Sequence, residues 1–161
     1  MSDLPTDIEV GDAYALRTFA VKDGRLASIA QRGGHWEDGK CEAICLAHPE
    51  DADHEVPSDD CTCGVYAFWS IEELLNQYLD FACRIVAVVR MDGLTIEGDN
   101  GVKANAAQIV AWWCAEDAAE LATPCVASAP CTRRYFDRDV MLGLYPAPQK
   151  PEEPGEESQD G

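Results

Sequence analysis

The chain has 161 residues, 47% of them hydrophobic, so it can bury one core and is expected to form a single domain. Its formal net charge is -18, from 30 acidic against 12 basic residues, which disfavours direct binding to nucleic acid and to anionic membranes. With neither a signal-peptide pattern nor a membrane-spanning apolar run, we expect a cytoplasmic protein whose cysteines are reduced.

The N-terminal half predicts a hairpin followed by an irregular segment. Residues 1–12 are polar and acidic and predict a flexible leader. Tyr14 to Val21 is typical of a strand, Asp23-Gly24 is a tight-turn pair, and Arg25 to Ile29 can return as a second strand. Residues 35–64 show no helical or strand period, and so long a segment without regular structure needs another source of order, such as a metal.

The clearest element of the chain is a helix over Ser70 to Asp80. Ser70 and Glu73 form an S-x-x-E capping box, and apolar residues recur at helical spacing behind it. Phe81 to Met91 then predicts a buried strand. Val102 to Trp113 predicts its partner strand, although the alanines there leave a helix as the alternative. Turn signals stand between them, at Asp92-Gly93 and at residues 98–101.

The C-terminal part predicts two short elements and a tail. Glu116 to Ala122 is typical of a short helix closed by Pro124, and Val140 to Tyr145 favours a last strand. Residues 146–161 are rich in Pro and Glu and are expected to be a disordered acidic tail. The predicted fold is therefore an α+β domain over residues 13–145. It has a small antiparallel sheet, one or two helices and a metal-stapled loop region.

Cysteine and histidine cluster in one stretch, residues 41–64. Three cysteines and one histidine are the usual closed tetrahedral set for structural zinc. Cys61 and Cys63 are one residue apart and can reach the same ion where the backbone turns, and Gly64 supplies that turn. Spacing alone leaves six candidate ligands: Cys41, Cys45, His48, His54, Cys61 and Cys63.

A resemblance narrows this set. The pattern Trp36-x-x-Gly39, Ala43-x-Cys45, His54-x-x-Pro57, Cys61-x-Cys63-Gly64-Val-Tyr-Ala67 resembles a group of actinobacterial and actinobacteriophage proteins. The hairpin Val21-Lys-Asp-Gly24-Arg-Leu26-x-Ser28 and the segment Gly101-Val-Lys-Ala104 are similar to further parts of that group. Departures are Glu55-Val56, where the group has Ala before the proline, and Val65 in place of Ile. By position, the resemblance implies that the metal ligands are Cys45, His54, Cys61 and Cys63, with Cys41 and His48 as alternatives.

The sequence is also compatible with other metal and thiol chemistry. An iron–sulfur cluster with three cysteines and a histidine is an alternative to zinc. A catalytic zinc of the deaminase type is disfavoured, because the glutamate and cysteine spacings do not fit and four strong ligands leave no open position. The remaining cysteines are interpreted as buried thiols, with a second metal site or a redox pair as alternatives: Cys83, Cys114, Cys125 and Cys131.

Two further features invite interpretation. Trp112-Trp113 is either a binding patch or core packing. Arg133-Arg134-Tyr135 is the basic cluster of the chain and is expected to pair with the surplus carboxylates.

The sequence hypothesis is a non-enzymatic accessory or regulatory protein that is stabilised by structural zinc and binds another, basic protein. The resemblance implies an actinobacterial or phage origin. The alternatives are a metal- or thiol-dependent enzyme or redox protein, and an acidic nucleic-acid mimic that occupies a DNA-binding protein.

Overall fold

A computed structural model describes residues 13–27, 36–42, 57, 64–130 and 132–146. Within these ranges the predicted α+β class is confirmed, as a mostly antiparallel sheet accompanied by three α-helices. The strands are β1 (Ala13–Arg17), β2 (Ala20–Lys22), β3 (Arg25–Ala27), β4 (Lys40–Glu42), β5 (Val65–Phe68), β6 (Ile85–Glu97), β7 (Gly101–Cys114) and β8 (Arg133–Tyr135). The helices are α1 (Ile71–Ala82), α2 (Ala122–Ser128) and α3 (Arg138–Leu144), with a 3-10 helix at Glu116–Leu121.

Strand β7 organises the sheet. One of its edges pairs along its length with β6, and its other edge pairs in succession with β5, β4 and the parallel strand β8. Strand β1 pairs with both β6 and β5, so the pairings β1–β6–β7–β5 close into a circuit. The short hairpin β2–β3 forms a separate two-stranded sheet.

The two faces of β6 bury two different sets of apolar side chains, because successive residues of a strand point to opposite faces. Val86 and Val88 pack with the cluster around Leu74 of α1 and Met141 of α3. The alternate residues belong to the larger cluster on the other face: Ile85, Ala87 and Val89, with Phe19, Trp36, Ile109, Trp112 and Cys125. The apolar run at residues 85–89 of β6 supplies buried side chains to both faces of the strand.

Helix α1 begins as its capping box predicts. The Ser70 side chain accepts a hydrogen bond from the Glu73 backbone N–H at 3.2 Å, and Glu72 and Glu73 complement the helix dipole in the first turn. The helix extends to Ala82, so the strand predicted from Phe81 begins only at Ile85. The strand interpretation of Val102 to Trp113 is confirmed by β7.

Two sequence interpretations are wrong in their local structure. Asp92-Gly93 is not a turn but a bulge inside β6, where the register with β7 shifts and Gly93 adopts φ +75. Val140 to Tyr145 is not a strand, because Asp137 caps helix α3 by accepting hydrogen bonds from the backbone N–H groups of Asp139 and Val140.

Smaller differences concern segment boundaries. Pro124 does not close a helix but lies in the first turn of α2, where a backbone N–H has no helical partner. The strand predicted over Tyr14 to Val21 is divided into β1 and β2. Residues 35–64, expected to lack regular structure, contain β4. The predicted leader, residues 1–12, and residues 147–161 of the predicted tail lie outside the described ranges.

Candidate functional site

The predicted zinc ligands Cys45, His54, Cys61 and Cys63 lie outside the described residues, as does the alternative ligand His48. Among the residues that are described, no group of three or more His, Cys, Asp or Glu side chains is arranged to hold a metal ion. What the structure supplies is the frame around the ligand segment, which we define as residues 43–63.

Both ends of the ligand segment are fixed to the same edge of β7. Glu42, the last residue of β4, is the register partner of Ala106, and Val65, the first residue of β5, is the partner of Ala104. Two residues along a strand correspond to about 7 Å. The chain therefore leaves the sheet and returns to it at adjacent positions.

The return point packs against the middle of the same segment. Gly64 has φ +123, and a Cβ there would lie 3.0 Å from the Pro57 Cβ and 3.3 Å from the Lys103 Cβ. Pro57 is fully buried. Glycine is required at position 64 by both its backbone conformation and this close approach, which explains the glycine of the C-x-C-G pattern in physical terms.

Two of the sequence patterns are direct strand partners. Residues 65–68 of β5 pair with residues 101–104 of β7, with Tyr66 opposite Lys103 and Ala67 opposite Val102. At Gly101 an added Cβ would overlap the Ala67 carbonyl oxygen, so the two backbones approach more closely than any side chain allows. Lys103 lies over the Tyr66 ring, with its Nζ 5.7 Å from the centroid.

The Trp36-x-x-Gly39 pattern connects the sheet to helix α2. Trp36 is buried and packs edge-to-face on Phe19, with ring centroids 5.1 Å apart. Gly39, at φ +78, donates its N–H to the Ser128 carbonyl at 2.6 Å and accepts from the Ile109 N–H at 2.7 Å. Sequence reasoning did not single out Ser128, which has no motif around it.

Arg17 is a second residue that sequence reasoning missed, a lone cation in the strand Ala13–Arg17. Its guanidinium carbon lies 5.2 Å from the Phe19 ring centroid and 5.3 Å from that of Trp36, and it donates to the Tyr66 carbonyl. Burial lowers the pKa of Arg17 to about 10, against opposing effects of Cys41 and Tyr78. Arg17 therefore remains a cation at neutral pH, at the base of the ligand segment.

Cys41 is the one candidate ligand that the structure describes. It lies in β4 opposite Ala107, is 6% exposed and belongs to the larger core cluster. Burial raises the pKa of the Cys41 thiol, partly offset by Arg17. These features are typical of a buried structural thiol.

Of the second group of cysteines, the structure describes Cys83, Cys114 and Cys125, and two of these three are buried. Cys125 is fully buried and Cys114 is 6% exposed, whereas Cys83 is exposed at the end of α1 and Cys131 lies outside the described residues. Burial raises the pKa of Cys125 to about 12, with Cys114 adding to the shift and Arg134 opposing it. The interpretation as buried thiols is consistent with Cys114 and Cys125 and does not fit Cys83.

The described residues do not supply the carboxylate partners that were expected for the basic cluster. Arg133 and Arg134 form β8 beside β7, and in the described part of the chain no carboxylate lies within 4.0 Å of either guanidinium. The guanidinium of Arg134 instead lies over the rings of Trp112 and Phe136, at 5.3 and 4.2 Å. Trp112 is core, while Trp113 is partly exposed beneath Arg138.

In the part of the chain that is described, none of the helices is long and apolar enough to cross a membrane. No family model matches the chain, and comparisons with curated proteins and with solved structures return no match.

Proposed function

We propose that this chain is a cytoplasmic accessory or regulatory protein whose ligand segment, residues 43–63, folds around a structural zinc ion and binds a basic region of another protein. The observation that carries the proposal is the frame: both ends of a cysteine- and histidine-rich segment are fixed side by side on β7. A segment anchored in this way is kept beside β7, and a metal would supply the order that its sequence lacks.

The donor chemistry fits zinc. Cys45, His54, Cys61 and Cys63 provide three soft thiolates and one imidazole, a closed tetrahedral set that leaves no position for a catalytic water. Cys45 is favoured over Cys41 because the Cys41 side chain is part of the core cluster. Gly64 and Pro57 pack together beside β7. Cys63 immediately precedes Gly64 in the sequence, and His54 stands three residues before Pro57.

The charge distribution favours a basic partner. The described ranges contain 15 acidic and 10 basic residues, so most of the surplus charge is carried by the rest of the chain. The ligand segment alone has six acidic residues and no basic one. Zinc bound by three thiolates carries a net charge of about -1 and does not offset them. A negative surface of this kind steers a positively charged partner.

The alternatives receive less support. A redox role for Cys125 is disfavoured because its raised pKa leaves almost no thiolate at neutral pH. A nucleic-acid mimic would use the same acidic segment, and it differs from the leading proposal in its partner, a DNA-binding protein whose DNA it displaces.

The metal is tested first, by elemental analysis of the purified full chain. We expect one zinc per chain, and loss of it in Cys63→Ser or Cys61→Ser. Structural zinc contributes on the order of 10 kcal/mol in small modules, so both variants should unfold at much lower denaturant concentration. Cys83→Ser is the matched control, since Cys83 is exposed and outside the ligand segment. Retention of metal and stability in both ligand variants would contradict the site, and iron in place of zinc would favour the cluster alternative.

Partner binding is tested by neutralising the ligand segment in the full chain. The loop variant carries Glu50→Gln, Asp51→Asn, Asp59→Asn and Asp60→Asn. The body variant, matched in charge, carries Glu72→Gln, Asp80→Asn, Glu97→Gln and Asp117→Asn, all at exposed positions. We expect that capture of a basic protein from an actinobacterial lysate is lost in the loop variant and kept in the body variant. Equal capture by both variants would contradict the proposed surface, and loss of zinc from the loop variant would show that the substitutions affected folding instead.

A further inference from the structure

The most unusual surface outside the ligand segment is built by β8 and the residue after it. We call Arg133, Arg134 and Phe136 the arginine–aromatic surface. Phe136 is 76% exposed, and the guanidinium of Arg134 covers its ring at 4.2 Å. Arg133 is exposed as well, and its guanidinium carbon lies 5.4 Å from the centroid of the Tyr135 ring. Aromatic rings thus hold both guanidinium groups, and Arg134 also donates a weak hydrogen bond to the Cys114 Sγ at 3.9 Å. The remaining N–H groups of the two arginines are left for a ligand.

These two arginines differ from three other arginines of the described residues. Arg84, Arg90 and Arg138 each have a carboxylate within 4.0 Å, at Glu120, Asp92 and Asp139. Arg133 and Arg134 have none among the described residues, although the chain has 30 acidic residues against 12 basic ones. Arginines without a carboxylate partner in so acidic a chain fit an acidic ligand, because guanidinium groups bind carboxylates with two parallel hydrogen bonds.

The chain leaves the described fold beside this surface. Tyr145, at the end of α3, packs on Tyr135 with ring centroids 6.3 Å apart, and the description ends one residue later at Pro146. Residues 147–161 contain five acidic residues and one basic residue, Lys150. The first acidic pair, Glu152-Glu153, begins six residues after Pro146, and six extended residues span up to about 20 Å.

We propose that the acidic C-terminal segment, residues 147–161, docks in cis on the arginine–aromatic surface through its carboxylates. The attachment through α3 gives these carboxylates an effective concentration in the millimolar range, which compensates for the weakness of each exposed ion pair. The segment has no large apolar side chain, so charge is the only attraction it offers and salt should release it. An acidic ligand from outside the chain would have to displace it.

The first experiment compares full-length variants by NMR of the arginine Nε–Hε and tryptophan Nε1–Hε1 signals. The tail variant carries Glu152→Gln, Glu153→Gln, Glu156→Gln and Glu157→Gln, and the body variant described above is its charge-matched control. We expect shifts at Arg133, Arg134 and Trp112 in the tail variant alone. The wild type should show the same shifts at about 1 M salt, where the screening length is about 3 Å.

Unchanged Arg133 and Arg134 signals in the tail variant would overturn the proposal. So would shifts that depend on protein concentration, because they would assign the surface to the tail of a second copy. These outcomes are independent of the metal site, since the tail lies far along the chain from the ligand segment.

A second measurement tests the same contact by changing the two arginines instead of the tail. Cleavage by a glutamyl endopeptidase after Glu152, Glu156 or Glu157 should be several-fold faster in Arg133→Gln/Arg134→Gln than in the wild type. Arg84→Gln, which removes a paired arginine far from β8 in sequence, is the control and should leave the rate unchanged. Equal cleavage rates in the wild type and the double variant, with the near-ultraviolet circular dichroism of the fold intact, would also overturn the proposal.

Discussion

The two edges of β7 are built in different ways. The edge facing β6 is one long hairpin, whose strands are joined at residues 98–101 by a turn in which the Gly98 N–H donates to the Gly101 carbonyl at 2.8 Å. The opposite edge is composite, because three short strands from distant parts of the chain meet it in succession: β5, β4 and β8. Regular structure thus forms locally on one edge and by long-range closure on the other.

Both candidate functional regions lie on the composite edge. It holds both ends of the ligand segment and also β8, whose two arginines have no carboxylate within 4.0 Å among the described residues. Short strands joined by long excursions cost more chain entropy to assemble than a hairpin does. They also leave room for segments that do something other than complete the sheet, which is why loops anchored on a rigid frame commonly carry function.

The largest expected difference between the two edges of β7 is in the stability lost when one glycine on each edge is replaced by alanine. Gly101→Ala places a methyl group on the Ala67 carbonyl of β5, and backbone cannot move aside as a side chain can. We expect a loss of at least about 3 kcal/mol in the free energy of unfolding. Gly93→Ala, in the bulge of β6 that faces β7, should cost only about 1–2 kcal/mol. Its penalties are the positive φ and a tight contact of 3.0 Å with the Asn105 Cβ, which a small shift can relieve more easily than an overlap with a carbonyl oxygen. Denaturant titration of both variants measures the difference.

Gly98→Ala is the matched control for the hairpin itself. A Cβ at Gly98 meets only the Gly101 carbonyl at 3.7 Å, an ordinary contact, so its effect should stay within about 0.5 kcal/mol. If Gly101→Ala were no more harmful than Gly98→Ala, the close approach of β5 to β7 would be wrong, and with it one of the two anchors of the ligand segment.

The same contrast explains what the sequence could predict. The β6–β7 hairpin and the capped start of α1 are local. Residue type and spacing predicted the cap and the pairing of the two strands, but they placed a turn at Asp92-Gly93 inside β6 and left a helix as the alternative for β7. Strands β4 and β8 have three residues each, too short for any period, and their pairing depends on partners about 65 and 20 residues away. For the same reason nothing in the sequence shows that Trp112 would lie beneath Arg134.

The same distinction between local and long-range structure applies to the candidate site. Cysteine and histidine spacing predicted the ligand types, but the position of the segment on β7 required the register of β4 and β5. Arg17 and Ser128 were missed because a single polar residue in an apolar stretch carries no periodic signal.

A smaller effect is expected where α2 supports the composite edge. The buried Ser128 hydroxyl accepts a hydrogen bond from the Leu26 N–H at 2.8 Å, and its carbonyl accepts one from Gly39. Ser128→Ala leaves the Leu26 N–H buried without a partner, so we expect a loss of about 1–3 kcal/mol in the free energy of unfolding. Thermal or denaturant unfolding measures it.

Thr18→Val provides the comparison on the β6 side. The Thr18 hydroxyl donates to the Ile85 carbonyl at 2.7 Å, and its removal affects an acceptor instead of a donor. A carbonyl with one missing partner is better tolerated than an N–H, so the loss should be smaller than for Ser128→Ala. The reverse order would indicate that α2 contributes little to holding the composite edge.

The smallest effect concerns Cys125, which lies under the composite edge near Cys114 and Arg134. Burial raises its folded-state pKa from the ordinary value of 9.0 to about 12, so the folded protein keeps the thiol proton that the unfolded chain releases above pH 9. Since the unfolded state then binds fewer protons, stability falls as the pH rises from about 9 towards 12, by up to about 1.4 kcal/mol per pH unit from this group. Cys125→Ala should therefore flatten the dependence of unfolding free energy on pH between 9 and 10.5, even if packing is weakened at neutral pH. Cys83→Ala, at an exposed thiol, is the control for the removal of a thiol. Equal slopes in all three proteins would mean that Cys125 is not protected from solvent, and that the composite edge is more open than its pairing with β8 implies.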